Sequence, residues 1–320
     1  MNRANLVLEV LYDREEQYVP FIDLVRESGL PPEEVTRSLE ILQRRGHAIA
    51  NQPTHGFRLE RPIRLEPHLI ERDLMTRRIG KSVICFDEVD STNDTAMDSA
   101  RQQDTDGLVI LAESQRKGRG RLGRRWVSPP GSNILMSVLL NSTSALPQEA
   151  VTIAAGLSIA EAAEWAGVPD CSLKWPNDVE IGGRKLAGVL VEASMKGDRQ
   201  TLVIGMGINV NSCPPEDQVD RPATSIRRQL RHKVERTELV QAVLRRLDTW
   251  VTRIQNGRTE RLHREWTARC GMINRRITVR SAQSEHTGRV LDVSPLEGLL
   301  LLEDTGRRVY LQAAGTTVIR

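Results

Sequence analysis

The chain has 320 residues, enough for two or three domains with sizeable cores, so neither disulfides nor a structural metal is required for stability. Its 45 Lys and Arg against 42 Asp and Glu leave a formal net charge of +3, too balanced to indicate a class of partner. The scattered cysteines Cys85, Cys171, Cys213 and Cys270 form no C-x-x-C pair, and the six histidines form no cluster, so we predict no disulfide framework and no metal site.

The N-terminal apolar stretch is too short and too interrupted for a signal peptide. The most apolar part of the chain, 151–168, contains Glu161 and Glu164, and charges at the middle of a membrane are costly. This stretch therefore predicts a mostly buried helix of a soluble domain. We expect a cytoplasmic protein with no membrane partner.

Residues 1–65 have the element order of a winged helix-turn-helix DNA-binding domain. Apolar spacing predicts helices around 6–11 and 21–25, and a further helix over 34–45 that ends at Gly46. The segment 47–60 then predicts two short strands around a loop that contains Pro and Gly.

Charge divides this N-terminal segment into two parts. Over 1–35 there are three Arg and eight acidic residues, whereas over 36–64 there are six Arg and two acidic residues. The basic part holds the predicted recognition helix and wing, where phosphate contacts are needed. The predicted base contacts are Thr36, Arg37 and Ser38, and the predicted phosphate contacts are Arg44, Arg45 and Arg58. The alternative is a helical protein-docking domain with an ordinarily charged face.

Residues 66–270 alternate strand-like apolar runs with amphipathic stretches, which is typical of a mixed α+β domain with a large central sheet. The predicted strands are 82–86, 107–112, 133–140, 185–192 and 201–210. The predicted helices are 93–103, 148–166, 236–255 and 258–269. Residues 271–320 instead show short β-rich runs separated by turn residues, which predict a small antiparallel barrel.

The segment 115–126, QRKGRGRLGRRW, follows a predicted strand and interleaves three glycines with Arg119, Arg121, Arg124 and Arg125. Glycine lets the backbone approach a ligand and expose consecutive N–H groups, and arginine supplies planar donors for carboxylate or phosphate. The Walker pattern and a G-x-G-x-x-G that opens a helix are both absent. Taken alone, this segment could equally bind RNA or be merely flexible. Its like charges should repel one another until an anion arrives, which predicts a mobile loop in the absence of ligand.

Three further motifs stand around this segment. In KWPNDVEIGGRKLAGVLVE (174–192), a polar turn at 176–178 and a Gly182-Gly183 hairpin deliver Lys185 to the start of an apolar strand. Either Lys185 binds a substrate anion, or it is an edge lysine that keeps its ammonium group in water. The two glycines of GMGINVN (205–211) would let a flat ligand approach the sheet, and DSTN (90–93) predicts a helix N-cap.

Together these motifs, in this order, resemble those of biotin–protein ligases: DSTN, Q-x-x-G-R-G-R-x-G-R-x-W, K-W-P-N-D, G-R-K-L-A-G-V-L-V-E and G-x-G-I-N-V-N. With residues 1–65 the chain is similar to the bifunctional members that also repress biotin operons. The resemblance implies an α+β protein with an N-terminal winged helix-turn-helix (1–65), a mixed-sheet ligase domain of the class II synthetase type (66–270) and an SH3-like β-barrel (271–320).

The resemblance also implies an activity. Such enzymes use ATP and Mg²⁺ to convert biotin into biotinyl-5′-adenylate, and they transfer biotin to a lysine of a biotin carboxyl carrier protein. Operator DNA would be a second partner, and a homodimer is expected when the adenylate is bound.

Site residues carried over by the resemblance fall into three groups. Biotin would contact Ser91, Thr92, Asn93, Gln115, Arg119, Gly120, Arg121, Lys185 and Gly188. ATP or the adenylate would contact Arg121, Trp126, Lys185 and Asn209. Catalysis would rest on Lys185, Arg121, Arg119 and Asp178, with the arginines on phosphates and Lys185 on the carboxylate and α-phosphate. Asp178 and Asn209 would shape the region around magnesium.

Three alternatives remain open. A lipoate–protein ligase would share the fold and the adenylation chemistry, but its R-R-x-x-G-G-G-x-V-Y-H loop is absent. A transcription factor that only senses a ligand would not require Lys185. A ligase whose N-terminal domain no longer binds an operator would have the same motifs as a true repressor.

Overall fold

The computed structural model describes residues 2–102, 105–219, 221–281, 284–294 and 296–319. The helices are α1 (Arg3–Asp13), α2 (Phe21–Ser28), α3 (Pro32–Arg44), α4 (Pro67–Glu71), α5 (Thr92–Ser99), α6 (Gln148–Trp165), α7 (Ile226–Leu230), α8 (Arg236–Gln255) and α9 (Glu260–Arg269). The helix predicted over 93–103 therefore ends early, and the last residue of that prediction, Gln103, lies outside the described residues.

The strands form three sheets, each built from a separate stretch of the chain. They are β1 (Ile49–Gln52), β2 (Gly56–Leu59), β3 (Val83–Val89), β4 (Val109–Gln115), β5 (Ile134–Ser142), β6 (Ser172–Lys174), β7 (Asp178–Ile181), β8 (Arg184–Lys196), β9 (Arg199–Ile208), β10 (Arg276–Ser281), β11 (Ser284–Ser294), β12 (Gly298–Glu303), β13 (Arg308–Leu311) and β14 (Thr316–Val318). They form a two-stranded, a seven-stranded and a five-stranded sheet.

The N-terminal unit has the predicted order of three helices and a hairpin. Gly29 follows α2 with a φ of 67°, the left-handed conformation that ends a helix at little cost for glycine. The pair Pro31-Pro32 then starts α3, two residues earlier than predicted. Strands β1 and β2 pair antiparallel, with Ile49 opposite Leu59. The apolar faces of these elements form a core of their own.

The central unit is built on a mixed seven-stranded sheet, as predicted. Its strand order is β3-β4-β5-β9-β8-β7-β6, with β3 and β4 parallel and the other neighbours antiparallel. Helix α6 packs on one face of the sheet and against α8, and α5 packs on the other face. Residues therefore alternate between two cores: Val138 contributes to the first and Leu139 to the second.

Helix α6 contains the most apolar stretch of the sequence. Most of its residues are buried between the sheet and α8, which explains why both of its faces are apolar. Its Glu161 accepts a hydrogen bond from Trp250 Nε1 at 3.3 Å. In the described part of the chain, no helix combines the length and apolarity that crossing a membrane requires.

The C-terminal unit is an antiparallel sheet of order β13-β12-β11-β10-β14. Its inward residues Val279, Val290, Leu299 and Leu301 belong to the same continuous core as the central unit. The sheet thus packs onto the central unit and carries β14 towards the end of the seven-stranded sheet.

A buried ion pair fastens the chain where it leaves the N-terminal unit. Arg236 at the start of α8 lies 2.6 Å from Glu113 of β4, and the Arg236 side chain is only 2% exposed. Arg236 Nη2 also donates to the Ile63 carbonyl at 3.0 Å, and Glu113 Oε1 accepts from the Leu65 N–H at 2.9 Å. The segment 63–65 is thereby fixed to both α8 and β4.

Candidate active site

A cavity of about 470 Å³ lies at one end of the central sheet, a size typical of small-molecule sites. Its walls come from the start of α5, the Arg/Gly segment, the neighbouring parts of β8 and β9, and β14 of the C-terminal sheet. Every residue that the motifs predicted for ligand binding or catalysis lines it: Ser91, Thr92, Asn93, Gln115, Arg119, Gly120, Arg121, Trp126, Asp178, Lys185, Gly188 and Asn209. The fold brings these residues together, and their roles in binding and catalysis stay predictions.

One end of the cavity is a fixed network of neutral polar groups. The N–H of Thr92 donates to Gln115 Oε1 at 2.7 Å. Beneath them, Ser137 Oγ lies 2.7 Å from Thr92 Oγ1 and 2.6 Å from Asn93 Oδ1. These directional groups suit a neutral polar ring better than a charged one.

Sequence reasoning missed Ser137 because it lies inside the apolar run of β5. A lone hydroxyl in such a run was nevertheless a signal, since a buried hydroxyl requires a partner.

The apolar wall is formed by an indole ring lying over two glycines. Gly188 of β8 pairs with Gly207 of β9. A Cβ on Gly207 would collide with the Trp126 ring, and a Cβ on Gly205 would collide with the Asn93 side chain. The sequence predicts that the glycines of GMGINVN make room for a flat ligand. The structure shows that they make room for Trp126 and Asn93, which in turn line the cavity.

Lys185 points into the cavity instead of into open water. Its Nζ lies 2.6 Å from Asp178 Oδ1 and 5.6 Å from the centre of the Trp126 ring. Its main chain is held on the side away from β7, where its N–H donates to Pro222 O and its carbonyl accepts from Thr224 N, both at 2.9 Å. The alternative of an edge lysine is therefore wrong.

The two arginines expected on phosphates both have protein partners. Arg119 donates through Nη1 and Nη2 to the two carboxylate oxygens of Asp94, each at 2.6 Å. Arg121 Nη2 donates to the carbonyl of Thr316, the first residue of β14, and to that of Ala313 before the strand. Burial lowers the pKa of the Arg121 guanidinium. The arginines thus connect the Arg/Gly segment to α5 and to the C-terminal sheet.

Acidic side chains lie beside the positive charges in the first part of this segment. Arg116 Nε lies 2.7 Å from Asp90, and Lys117 Nζ lies 2.8 Å from the same carboxylate. With Arg119 paired to Asp94, each of these three cations has an acidic neighbour in the described structure. Repulsion is therefore reduced at 116–119, whereas Arg124 still contributes to the lowered pKa of Arg121, and the mobility of the segment without ligand stays a prediction.

Of the predicted DNA contacts on α3, three are exposed and one is not. Thr36, Arg37 and Arg44 are exposed. Ser38 is only 1% exposed and lies on the helix face that packs into the N-terminal core, so the prediction of a base contact for Ser38 is wrong.

The other two predicted DNA contacts have neighbours within the unit. Arg45 Nη1 donates to Asn5 Oδ1 at 3.3 Å, and the Arg58 guanidinium lies 4.8 Å from the centre of the Tyr18 ring. The first turn of α3 carries Glu33 and Glu34, which places negative charge where a recognition helix approaches DNA.

Comparison with known proteins agrees with the geometry. Residues 85–209 match the biotin/lipoate A/B protein ligase family. The chain is 30% identical over 280 residues to the bifunctional ligase/repressor BirA of Bacillus subtilis, covering 84% of each chain. It is 32% identical over 270 residues to the biotin–[acetyl-CoA-carboxylase] ligase of Mycobacterium tuberculosis, covering 80% of this chain and 98% of the relative.

Among solved structures, the biotin protein ligase from Aquifex aeolicus in complex with biotin and ATP matches with a TM-score of 0.65 and 29% identity. The match covers 75% of this chain and 99% of the Aquifex chain. The described cavity, its complete motif set and these similarities lead to one conclusion: the chain belongs to the biotin protein ligase family.

Proposed function

We propose that the protein activates biotin with ATP to biotinyl-5′-adenylate and transfers the biotin to a lysine of a biotin carboxyl carrier protein. The observation that carries this proposal is the cavity. It joins a neutral polar end, an apolar indole-and-glycine wall and a lysine in one space. These features match, in turn, a ureido ring, a thiophane ring with its chain, and a carboxylate that meets a phosphate.

The first step brings two anions together. The biotin carboxylate attacks the α-phosphorus of ATP, the bond to the bridging oxygen breaks, and pyrophosphate leaves. Lys185 Nζ, in the cavity wall beside Asp178, supplies positive charge where the carboxylate and α-phosphate approach.

The second step needs less from the protein, because the mixed anhydride is already activated. A neutral lysine amine of the carrier attacks the acyl carbon, AMP leaves, and the amine loses a proton. The protein must therefore hold the adenylate until the carrier docks. This requires an enclosed cavity more than it requires additional positive charge.

Magnesium, which neutralises the departing pyrophosphate when it is bound, fits the residues of this site. Asn209 is 2% exposed, and its Oδ1 has no hydrogen-bond donor among the described residues. With the Asp178 carboxylate it offers two hard oxygen ligands in the cavity wall. No three His, Cys, Asp or Glu side chains of the described chain are grouped to hold a metal. The two oxygens of Asn209 and Asp178 suit an ion that is held mainly by substrate phosphates.

The direct test of the whole activity is incubation of the purified protein with labelled biotin, ATP-Mg and cell extract. We expect ATP-dependent labelling of a carrier protein. A lipoate–protein ligase would label its carrier with lipoate and not with biotin, and a protein that only senses its ligand would label nothing.

Arg121→Gly should loosen the hold on the adenylate more than it slows adenylate synthesis. The substitution removes the contacts to Ala313 and Thr316 and with them the closure of one wall, while Lys185 remains in place. The adenylate should then leave faster and biotinylate exposed lysines of bystander proteins.

The measurement is biotin transfer to serum albumin. Arg116→Gly is the matched control, because Arg116 is on the same segment but outside the described cavity wall. Bystander labelling no greater than in the control would show that Arg121 does not retain the intermediate.

We further propose three domains, 1–65, 66–270 and 271–320: a winged helix-turn-helix, the ligase domain and an SH3-like barrel. The separate N-terminal core supports the first boundary, although Leu69 still packs in that core. The last boundary separates two sheets that share one core.

We propose that the N-terminal unit binds operator DNA as part of a ligand-promoted homodimer. Support comes from the order of three helices and a hairpin, from exposed Arg37 and Arg44 on α3, and from the similarity to proteins named as bifunctional ligase/repressors. The alternative, a ligase with an N-terminal unit that does not bind DNA, is favoured by Glu33 and Glu34 at the start of α3.

A titration on the promoter of the protein's own biotin genes distinguishes these two possibilities. At fixed salt, biotin with ATP should tighten binding, because two linked half-sites are then engaged at once. Arg37→Ala should weaken binding, whereas Ser38→Ala should not weaken it through a lost base contact, since Ser38 is buried. Binding that is absent, or unchanged by ligand, would leave a plain ligase.

A further inference from the structure

The polar end of the cavity continues into a cluster of three charged residues, of which Asp94 lies just outside the DSTN motif. Asp94, in the first turn of α5, follows Asn93 directly and holds the Arg119 guanidinium through two bonds of 2.6 Å. On the other side, Glu192 of β8 lies 3.5 Å from Arg119 Nη2 and 2.6 Å from Asn93 Nδ2.

This cluster leaves Arg119 little capacity for an anion. Both of its terminal nitrogens are engaged by Asp94, and with Glu192 the three side chains sum to a net negative charge. A phosphate brought to this point would meet two carboxylates. Hydrogen bonds from Arg119 lower the pKa of the Asp94 carboxyl below its ordinary value of 3.8, so the pair stays charged throughout the neutral range.

Backbone hydrogen bonds within the segment 118–126 also shape its path over the cavity. Gly118 accepts a hydrogen bond from Trp126 N at 2.9 Å, and Gly120 donates to Arg124 O at 2.7 Å. These two bonds close the segment on itself. Arg119 lies between the two glycines, and its side chain ties this closed unit to α5 and β8.

We propose that Asp94, supported by Glu192, is a positioning residue that acts through Arg119 to hold the segment 118–120 over the polar end of the cavity. Arg119 then serves as a strap, a side chain that ties this segment to α5 and β8, and not as a phosphate ligand. The proposal deepens the proposed function and rests on it for the identity of the ligand. It reassigns Arg119, for which the family resemblance implied a phosphate contact.

Replacing Asp94 with Asn keeps the size of the side chain and removes its charge. Biotinyl-adenylate should then dissociate about three- to tenfold faster, the range for a charge-assisted, partly exposed pair. Asp98→Asn is the matched control, because Asp98 is one turn further along the same helix and pairs with Arg101 at 3.5 Å, away from the segment. The measurement is a chase of labelled adenylate with excess unlabelled ligand.

Two further readouts separate positioning from a general loss of stability. In an Arg119→Gln background, Asp94→Asn should change the dissociation rate no further, because its partner is already gone. Added salt should speed dissociation more in the wild type than in Asp94→Asn, because only the wild type has the Arg119–Asp94 ion pair to screen. An unchanged rate in Asp94→Asn, or a full additional effect in the Arg119→Gln background, would overturn the proposal.

Failure of the proposed function would be seen separately, as a wild-type protein that forms no adenylate. The strap is still tested in that case by trypsin cleavage within 116–125. Asp94→Asn should be cut several-fold faster than Asp98→Asn, and equal cleavage would contradict the strap.

Discussion

Lys185→Ala is expected to slow adenylate formation by about two to three orders of magnitude while leaving the fold intact. A unit charge at about 4 Å is worth roughly 4 kcal/mol at an effective dielectric near 20, or about a thousandfold in rate. The Lys185 side chain is 29% exposed, and solvent screening there reduces the effect towards the lower end of this range. Its removal also leaves Asp178 unpaired beside two anionic substrates.

Folding should not change, because the main-chain bonds of Lys185 to Pro222 and Thr224 do not involve the side chain. Lys174→Ala is the matched control: Lys174 pairs with Glu180 at 3.2 Å on the neighbouring strands but does not line the cavity. The measurement is biotin-dependent pyrophosphate release. Release by Lys185→Ala close to that of Lys174→Ala would rule out the assigned role.

Arg236→Met should destabilise the central unit by about 3–5 kcal/mol, the usual effect of removing one partner of a buried ion pair. Glu113, 11% exposed, would lose its cationic partner and retain the hydrogen bond from the Leu65 N–H. The attachment of segment 63–65 to α8 would weaken at the same time.

Urea unfolding followed by tryptophan fluorescence measures this change, since all five tryptophans lie in 66–270. Arg246→Met on the same helix is the control, because Arg246 is 26% exposed and lies 4.0 Å from Glu161. Adding Glu113→Gln to Arg236→Met should recover much of the loss by removing the unpaired charge. A loss below about 1 kcal/mol for Arg236→Met would show that the pair is not a structural anchor.

Long elements with a strong hydrophobic period were predictable from the sequence. Helix α8 has the bounds that the periodicity predicts, and the strands β4, β5 and β9 lie within a few residues of their predictions. Helices α4 and α7 have only five residues each, and β6 only three. Such lengths are too short for a period to be visible, so these elements were not predicted.

The composition of the site was also predictable, because its residues occur in ordered motifs. Its internal contacts were not, since Asp94, Ser137 and Glu192 acquire partners only when distant strands and α5 come together. Burial of Ser38 is a different case. It lies three residues after Val35 and four before Leu42, so the helical period already placed it on the buried face.

The most direct test of the central claim is exchange of labelled pyrophosphate into ATP by the purified protein, which needs no carrier and reports the first step alone. The account predicts exchange that requires biotin, is lost with Lys185→Ala and is not supported by lipoate. Exchange that is independent of biotin, equally supported by lipoate, or absent altogether would contradict it.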